Sequence, residues 1–242
     1  MEHFHDKIQG WFTFPWLYKE MVKRFPDGSH FVEVGCWIGC SASYMGVEIV
    51  NSKKNIKFDC FDWFKGNPYN KNINYNEDPD PAFRQCKTNL EPFKDFLSVN
   101  KSLSWQGASK YKDGSLDFVF LDASHAYDDF SKDLAAWAPK VKANGVFAGH
   151  DTDFGGVAVG IAEYFGEDPP PNAHKDFDKV NDGFTRAEHY GYDKKLGGCW
   201  IWDKKIHGKP IAETGRYKHL IKKYGGHIED GTTAPQRKYD NK

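Results

Sequence analysis

Two aspartates and two histidines follow strand-like segments in the second half of the chain, and their side chains could bind a metal or transfer protons. Asp122 ends one apolar run and is followed three residues later by His125, while His150 and Asp151 directly follow the next such run. Ligands bind at the carboxyl ends of open parallel sheets, so we expect these four side chains to share one rim. Carboxylate oxygens with a nitrogen suit Mg²⁺ or Mn²⁺ better than a zinc cage. The alternative is that both aspartates only cap the helix and loop that follow them.

A glycine-bounded turn follows the predicted strand at 31–34. Gly35 and Gly39 bound this turn, and a helix then opens on small residues. Glycines let the backbone approach a ligand closely, as in the first unit of nucleotide-binding α/β domains. Trp37 occupies the position of the middle glycine of a dinucleotide loop, which disfavours a nicotinamide or flavin dinucleotide. S-adenosylmethionine has no phosphates and does not require that glycine, and Glu33 could face its positive charge or its ribose.

The predicted second strand, at 56–62, ends in an acidic residue. Asp62 follows the glycines by some twenty-odd residues, the position at which such folds hold a ribose diol. Trp63 comes next and could lie against an adenine, whereas Asp59 lies inside the strand and is the weaker candidate. Asp62 could instead cap the following loop, and the sequence leaves both roles open.

The order of apolar runs and helix signals predicts one fold class. We expect strands at 31–34, 56–62, 96–100, 116–122 and 145–149, a closing antiparallel pair at 184–189 and 198–203, and helices at 15–25, 40–50, 81–91, 104–111, 128–138, 156–165 and 214–224. This alternation predicts an α/β, Rossmann-like, doubly wound sheet of seven mostly parallel strands with a closing antiparallel hairpin. We divide the chain into an N-terminal helical extension (1–28), a catalytic domain (29–205), and a C-terminal helix with a flexible tail (206–242).

Composition excludes several classes of protein. A formal net charge of −1 over 242 residues gives no general attraction to nucleic acid or anionic membranes. No segment approaches the ~20 apolar residues of a membrane helix, and the first residues lack the layout of a signal peptide. The five cysteines form no C-x-x-C pair, so reduced, packed thiols are expected. We therefore expect a cytoplasmic protein without nucleic-acid or membrane partners, and homo-oligomerisation stays open.

Two further segments have expected roles. The aromatic residues of the helix at 15–25 should cover one face of the sheet, with a lid over the ligand as the alternative. The loop at 66–81 is rich in Asn, Asp, Gly and Pro and is too long for a simple connection. Long ordered loops tend to be functional, so we expect this loop on the substrate side of the domain, with disorder as the alternative.

Four motifs together resemble a known enzyme class. They are E-V-G-x-x-x-G-x-S (33–41), F-D-W-F-K-G (61–66), D-G-S-L-D-F-V-F-L-D-A-S-H-A-Y (113–127) and W-A-P-K-V-K-A-N-G-V-F-A-G-H-D (137–151). This combination resembles the class I S-adenosylmethionine-dependent methyltransferases. More narrowly, it resembles the metal-dependent O-methyltransferases that act on sugar hydroxyls of natural products. The resemblance covers about residues 30–165.

The resemblance implies roles for individual residues. It places Glu33, Gly35, Gly39 and Ser41 in the cofactor loop, Asp62 at the ribose with Trp63 beside it, Ser104 near the adenine, Asp122 and Asp151 on a Mg²⁺ or Mn²⁺ ion with His150 beside them, Asp122 also among the cofactor contacts, and His125 as the general base. The chain departs from related metal sites at two positions. His150 stands where a carboxylate is common, and Thr152 where catechol-type relatives have asparagine.

Three alternatives remain beside this interpretation. An amino-methyltransferase of nucleic acids would show an Asn/Asp-Pro-Pro-aromatic turn after the fourth strand. The chain has Asp122-Ala-Ser-His there instead, which disfavours this class of enzyme. A metal-independent methyltransferase and a non-catalytic cofactor- or carbohydrate-binding domain are not excluded. His125 could also serve only to hydrogen-bond the Asp122 loop. We expect the acceptor to be a hydroxyl on a small molecule or a sugar.

Overall fold

A computed structural model describes residues 1–65, 80–152, 154–165 and 198–207. Its sheet contains β1 (His30–Val34), β2 (Lys57–Asp62), β3 (Leu97–Lys101), β4 (Leu116–Leu121), β5 (Val141–Gly149) and β6 (Trp200–Asp203). These strands lie in the order β3-β2-β1-β4-β5-β6. Strands β1 to β5 are parallel to one another, and the edge strand β6 is antiparallel to β5. The mostly parallel Rossmann-like sheet is therefore confirmed.

The helices of the described residues cover both faces of this sheet. They are α1 (Pro15–Arg24), α2 (Cys40–Ser52), α3 (Pro81–Asn89), α4 (Ser104–Gly107), α5 (Tyr127–Trp137), α6 (Gly155–Phe165) and α7 (Lys204–His207). Single 3₁₀ turns lie at His5–Lys7, Glu91–Phe93, Ala108–Lys110 and Ala138–Lys140. The predicted helices that fall on described residues are confirmed, with shifts of a few residues at their ends.

Strand β4 shows why the fold is doubly wound. Every residue of β4 is buried, because the strand lies between β1 and β5 and is covered on both faces. Phe118 and Phe120 pack into one apolar cluster with α1 and α2. Val119 and Leu121 pack into a second cluster with α5 and α6. The period-two alternation of a strand thus sends successive side chains into two separate cores.

Some predicted elements differ from the described structure or lie outside it. The antiparallel partner of β6 is β5, and the expected strand at 184–189 lies outside the described residues. The described part of the sheet has six strands rather than the seven expected. The loop at 66–81 lies almost wholly outside the described residues, and the helix at 214–224 lies entirely outside them. Among the described helices, none is long and apolar enough to span a membrane.

The first fourteen residues, here called the N-terminal segment, run along α2 toward the glycine loop. His3 bonds Glu48 at 2.8 Å and stacks on Tyr44 with ring centroids 4.1 Å apart. One turn further along α2, the thiol of Cys40 donates to the carbonyl of His5. The segment therefore follows α2 from its C-terminal half to its first residue. Helix α1 then packs on the sheet as expected.

Candidate functional site

The glycine loop lies directly against the end of β4. Gly35 and Gly39 have φ values of 98° and 90°, and Trp37 between them also has a positive φ of 42°. A Cβ atom at position 35 would lie 1.9 Å from the carbonyl oxygen of Asp122. Glycine is therefore required at 35 by the close approach of two backbones, in addition to its backbone conformation. This contact joins the predicted cofactor loop to the first residue of the predicted metal site.

Glu33 is fully buried, one residue before the end of β1. The hydroxyl of Ser41 donates a hydrogen bond to one of its carboxylate oxygens, and the other oxygen has no partner. Burial raises the pKa of Glu33 to about 8, although the Ser41 hydrogen bond opposes the rise. The structure thus brings two predicted cofactor residues together beneath the glycine loop, and burial favours the protonated form of the Glu33 carboxyl group.

Asp62 connects β2 to the glycine loop. One carboxylate oxygen accepts the N–H of Trp37 at 2.8 Å, and the other accepts the N–H of Phe64 at 2.7 Å. Burial raises the pKa of Asp62, and these backbone N–H groups oppose the rise. Trp63 remains 46% exposed, with the ammonium of Lys65 over its ring at 5.0 Å. The structure is therefore consistent with both roles of Asp62. It caps the following loop, and each carboxylate oxygen has a further lone pair that could accept a hydrogen bond from a ribose diol.

Ser104 begins the short helix α4, and its backbone carbonyl accepts the indole N–H of Trp137 at 3.0 Å. Burial raises the pKa of the nearby Asp133 on α5 to about 7. The contact with Trp137 attaches Ser104 to α5. Its predicted proximity to an adenine stays a prediction.

The predicted metal and base residues lie together at the carboxyl edge of the sheet. Ligand atoms of Asp122, His125 and Asp151 lie within 4.8 Å of one another. His125 Nε2 is 2.7 Å from Asp151 Oδ2, and His150 Nδ1 is 3.1 Å from Asp151 Oδ1. His150 Nδ1 also lies 3.9 Å from Asp122 Oδ1. We call these four residues the carboxylate–histidine cluster.

Sheet hydrogen bonds that continue past the strand ends position this cluster. The N–H of Asp122 donates to Val34 at 2.7 Å, and the N–H of His150 donates to Leu121 at 3.0 Å. Asp151 then has a positive φ of 62°, which is uncommon for a residue other than glycine. Such conformations concentrate at functional sites, where the surrounding structure holds them.

The charges of the cluster shift one another's pKa values. Burial, followed by the neighbouring Asp151 carboxylate, raises the pKa of Asp122 to about 7. The pKa of Asp151 lies well below its usual range, because the imidazoles of His125 and His150 together outweigh the effect of burial. Burial lowers the pKa of His125, but Asp151 raises it by more, and the net direction is upward. Asp151 is thus the carboxylate of the cluster that ionises most readily, and its charge favours the protonated form of the His125 imidazole.

Residues of the N-terminal segment and the residue directly before α6 contact the same cluster. Thr13 Oγ1 lies 2.9 Å from His150 Nε2, and the Phe14 ring lies 5.1 Å from the His150 ring. The ring of Phe154 stacks on His125 with centroids 4.1 Å apart. Sequence reasoning missed all three residues. Thr13 is separated from His150 by 137 positions, so no local spacing could have revealed the contact.

A family model described as a methyltransferase domain matches residues 32–152, which is half of the chain. The fold, the glycine loop and this match together define a methyltransferase domain. The chain belongs to this methyltransferase domain family. No curated protein gives a significant match.

Solved structures show only weak similarity to the chain. A SAH-bound methyltransferase from Podospora anserina has 16% identity over 60% of this chain and 54% of its own, with a TM-score of 0.43. A protein from Corynebacterium glutamicum has 15% identity over 59% of each chain and a TM-score of 0.42. The geranyl diphosphate C-methyltransferase from Streptomyces coelicolor has 9% identity over 56% of this chain and 41% of its own, with a TM-score of 0.40. The matches span less than two thirds of these proteins.

Proposed function

We propose that this chain transfers the methyl group of S-adenosylmethionine to a hydroxyl of a small molecule or a sugar, with the assistance of Mg²⁺ or Mn²⁺. The carboxylate–histidine cluster carries this proposal, because ligand atoms of three of its residues, Asp122, His125 and Asp151, lie within 4.8 Å of one another. The cluster also adjoins the glycine loop through Gly35 and Asp122. The proposed base and the proposed cation ligands would therefore act next to the predicted cofactor loop.

The donor set fits a divalent cation. Asp122 and Asp151 bring two carboxyl groups into one largely buried site, and their mutual repulsion contributes to the raised pKa of Asp122. A cation between them would remove this penalty and let both ionise. Asp122 and Asp151 would supply hard oxygen ligands, and His150 Nδ1 a nitrogen. A divalent cation bound there would supply Lewis acidity, which lowers the pKa of an alcohol.

His125 is the residue that would accept the proton of the acceptor hydroxyl. Its Nε2 is 2.7 Å from Asp151, which orients the ring and stabilises the imidazolium that proton transfer creates. Its ring also stacks on Phe154, which limits rotation. As the oxygen attacks the methyl carbon and the sulfonium becomes a neutral thioether, the hydroxyl proton passes to His125. The alignment of oxygen, methyl carbon and sulfur should provide much of the remaining acceleration.

Metal-independent methyl transfer is the second candidate. The short His125–Asp151 contact favours it, because a histidine with an orienting carboxylate can act as a base without a metal. Excess chelator separates the two candidates in an assay of S-adenosylhomocysteine release over a panel of alcohol acceptors. We expect chelator to abolish turnover and added Mg²⁺ to restore it. Full activity in excess chelator would instead establish the metal-independent reaction.

Calorimetry with Mn²⁺ tests the same ligands without an acceptor. Asp122→Asn should weaken Mn²⁺ binding without unfolding the domain. Asp113→Asn is the matched control, because Asp113 is an exposed carboxylate that pairs with Lys140. Equal weakening in both variants would show that the effect is not specific to the cluster.

His125→Gln tests the base. Cofactor and Mn²⁺ binding should change little, whereas the rate should fall by ~10²–10⁴ and the pH–rate inflection in the histidine range should disappear. A variant that keeps this inflection and most of its rate would assign the proton to another group. His150 is then the next imidazole to substitute.

Asp62→Ala tests the cofactor site. A charge-assisted hydrogen bond to a ribose diol contributes ~1.5–3 kcal/mol, so the affinity for S-adenosylhomocysteine should fall by roughly tenfold or more. The hydrogen bonds that Asp62 accepts from Trp37 and Phe64 favour the capping role as well. Unchanged affinity together with reduced stability would assign Asp62 to the loop alone.

A further inference from the structure

The hydrogen bond between Thr13 and His150 joins the N-terminal segment to the carboxylate–histidine cluster. The Thr13 hydroxyl is 2.9 Å from Nε2 of His150. The opposite ring nitrogen, Nδ1, faces the carboxylates of Asp151 and Asp122 at 3.1 and 3.9 Å. Each nitrogen of this imidazole therefore has a polar partner, and the partner of Nε2 comes from a part of the chain 137 positions away.

The surrounding contacts hold Thr13 in place from both sides. Phe14 is fully buried, and its ring packs on Phe120 at 4.4 Å and on His150 at 5.1 Å. On the other side, Trp11 stacks on Trp37 of the glycine loop with centroids 5.8 Å apart. Thr13 itself is exposed, so its backbone position depends on its aromatic neighbours. A substitution of its side chain should therefore leave the fold intact.

The partner of one imidazole nitrogen determines what the other nitrogen can do. A threonine hydroxyl both donates and accepts hydrogen bonds. It can donate to Nε2 while Nδ1–H points to Asp151. It can also accept Nε2–H, which leaves a lone pair on Nδ1 directed at the carboxylates. In both arrangements the ring keeps the same orientation.

We propose that Thr13 is a positioning residue that fixes the ring orientation of His150, so that Nδ1 faces the Asp122–Asp151 carboxylates in either tautomer. The inference rests on the proposed function only in assigning Nδ1 to a cation. The N-terminal segment thereby forms part of the site, which the expected domain division placed entirely after residue 28. The opposing explanation is that Phe14 packing alone orients the ring.

The test compares Thr13→Val, which removes the hydroxyl and keeps the shape, with Thr13→Ser, which restores a hydroxyl. Thr88→Val is the matched control, because the Thr88 hydroxyl bonds a backbone carbonyl on α3. Long-range ¹H–¹⁵N spectra of the full metal-free chain report each ring nitrogen of the histidines, and His150→Gln identifies the His150 signals. We expect the same Nδ1 signal of His150 in wild type, Thr13→Ser and Thr88→Val. In Thr13→Val this signal should shift, because the ring can then turn away from the carboxylates.

Mn²⁺ titration provides the second measurement. Loss of an outer partner of a ligating histidine typically weakens metal binding by ~10–100-fold, which we expect for Thr13→Val and not for Thr13→Ser or Thr88→Val. An unchanged Nδ1 signal of His150 in Thr13→Val overturns the positioning role. If wild type binds no Mn²⁺, the proposed metal fails, while the comparison of the Nδ1 signals still decides the role of Thr13. Equal shifts of this signal in Thr13→Ser and Thr13→Val would also overturn the proposal, because the hydroxyl would then have no effect.

Discussion

Glu163→Gln should stabilise the protein relative to wild type, and this stabilisation should be larger at pH 8 than at pH 5. Glu163 lies on α6, is only 5% exposed, and accepts a hydrogen bond from the Tyr127 hydroxyl at 2.5 Å. Its second carboxylate oxygen is buried without a partner. Burial raises the pKa of Glu163 to about 7, although the Tyr127 hydrogen bond opposes the rise. The folded protein therefore favours the protonated carboxyl group.

The sign of the effect follows from this raised pKa. An acid whose pKa is higher in the folded state contributes stability below its unfolded pKa, and that stability is lost as the pH rises through the folded value. Each pKa unit corresponds to about 1.4 kcal/mol, and the unfolded value is about 4.3. With a folded pKa of about 7, Glu163 should lower the free energy of unfolding by about 1 kcal/mol at pH 5 and by about 3.5 kcal/mol at pH 8, relative to a fully protonated carboxyl group. Glutamine does not titrate, so its advantage over glutamate should grow by about 2.5 kcal/mol across this range.

Urea denaturation of wild type and Glu163→Gln at pH 5, 6, 7 and 8 measures this difference. Subtraction of the two curves cancels the titration of all other groups. Tyr127→Phe is the companion variant, because removal of the donor should raise the pKa of Glu163 further and increase the alkaline loss. A difference between wild type and Glu163→Gln that does not vary with pH would refute the reasoning, since Glu163 would then ionise equally in both states.

Two further predictions concern stability. Gly35→Ala should cost more than about 2 kcal/mol in urea denaturation, because its Cβ would overlap the carbonyl of Asp122. Gly28→Ala, at a positive φ but with nothing within 4 Å, should cost about 1 kcal/mol, and equal losses would contradict the overlap. Asp59→Asn should weaken the fold at neutral pH and flatten its acid unfolding. Burial raises the pKa of Asp59, but hydrogen bonds led by that from His30 lower it by more, so its stabilisation is lost as the pH falls through the folded pKa. If the free energy of unfolding of Asp59→Asn falls as steeply toward acid pH as that of wild type, Asp59 does not contribute to the acid unfolding.

The sequence predicted those elements whose apolar pattern matches their burial. The run at 116–122 was recognised because β4 is buried on both faces and contains almost only apolar residues. The start of β5 was missed by four residues, since Lys142, Ala143 and Asn144 interrupt the apolar pattern and lie at a register shift against β4. The helix expected at 81–91 ends at Asn89, and Glu91 lies instead in the next 3₁₀ turn.

The residues of the site could be predicted only where they directly follow the ends of strands. Asp122 and Asp151 could be paired from the sequence because parallel strands end at one edge. The 2.7 Å contact of His125 with Asp151, and the positive φ that Asp151 adopts there, follow from no spacing in the sequence. Thr13 lies before the first predicted helix, and its contact with His150 depends on the path of the N-terminal segment along α2. Tertiary packing determines such contacts, and no periodicity encodes them.

The contact of Gly35 with the carbonyl of Asp122 has a consequence for protein engineering. The two loops share a backbone-to-backbone surface with no side chain between them to adjust. A chimera that takes the glycine loop from one family member and the Asp122 loop from another would join surfaces that were not selected together. Exchange of acceptor preference between relatives should therefore succeed more often when residues 33–41 and 121–127 are transferred as one unit.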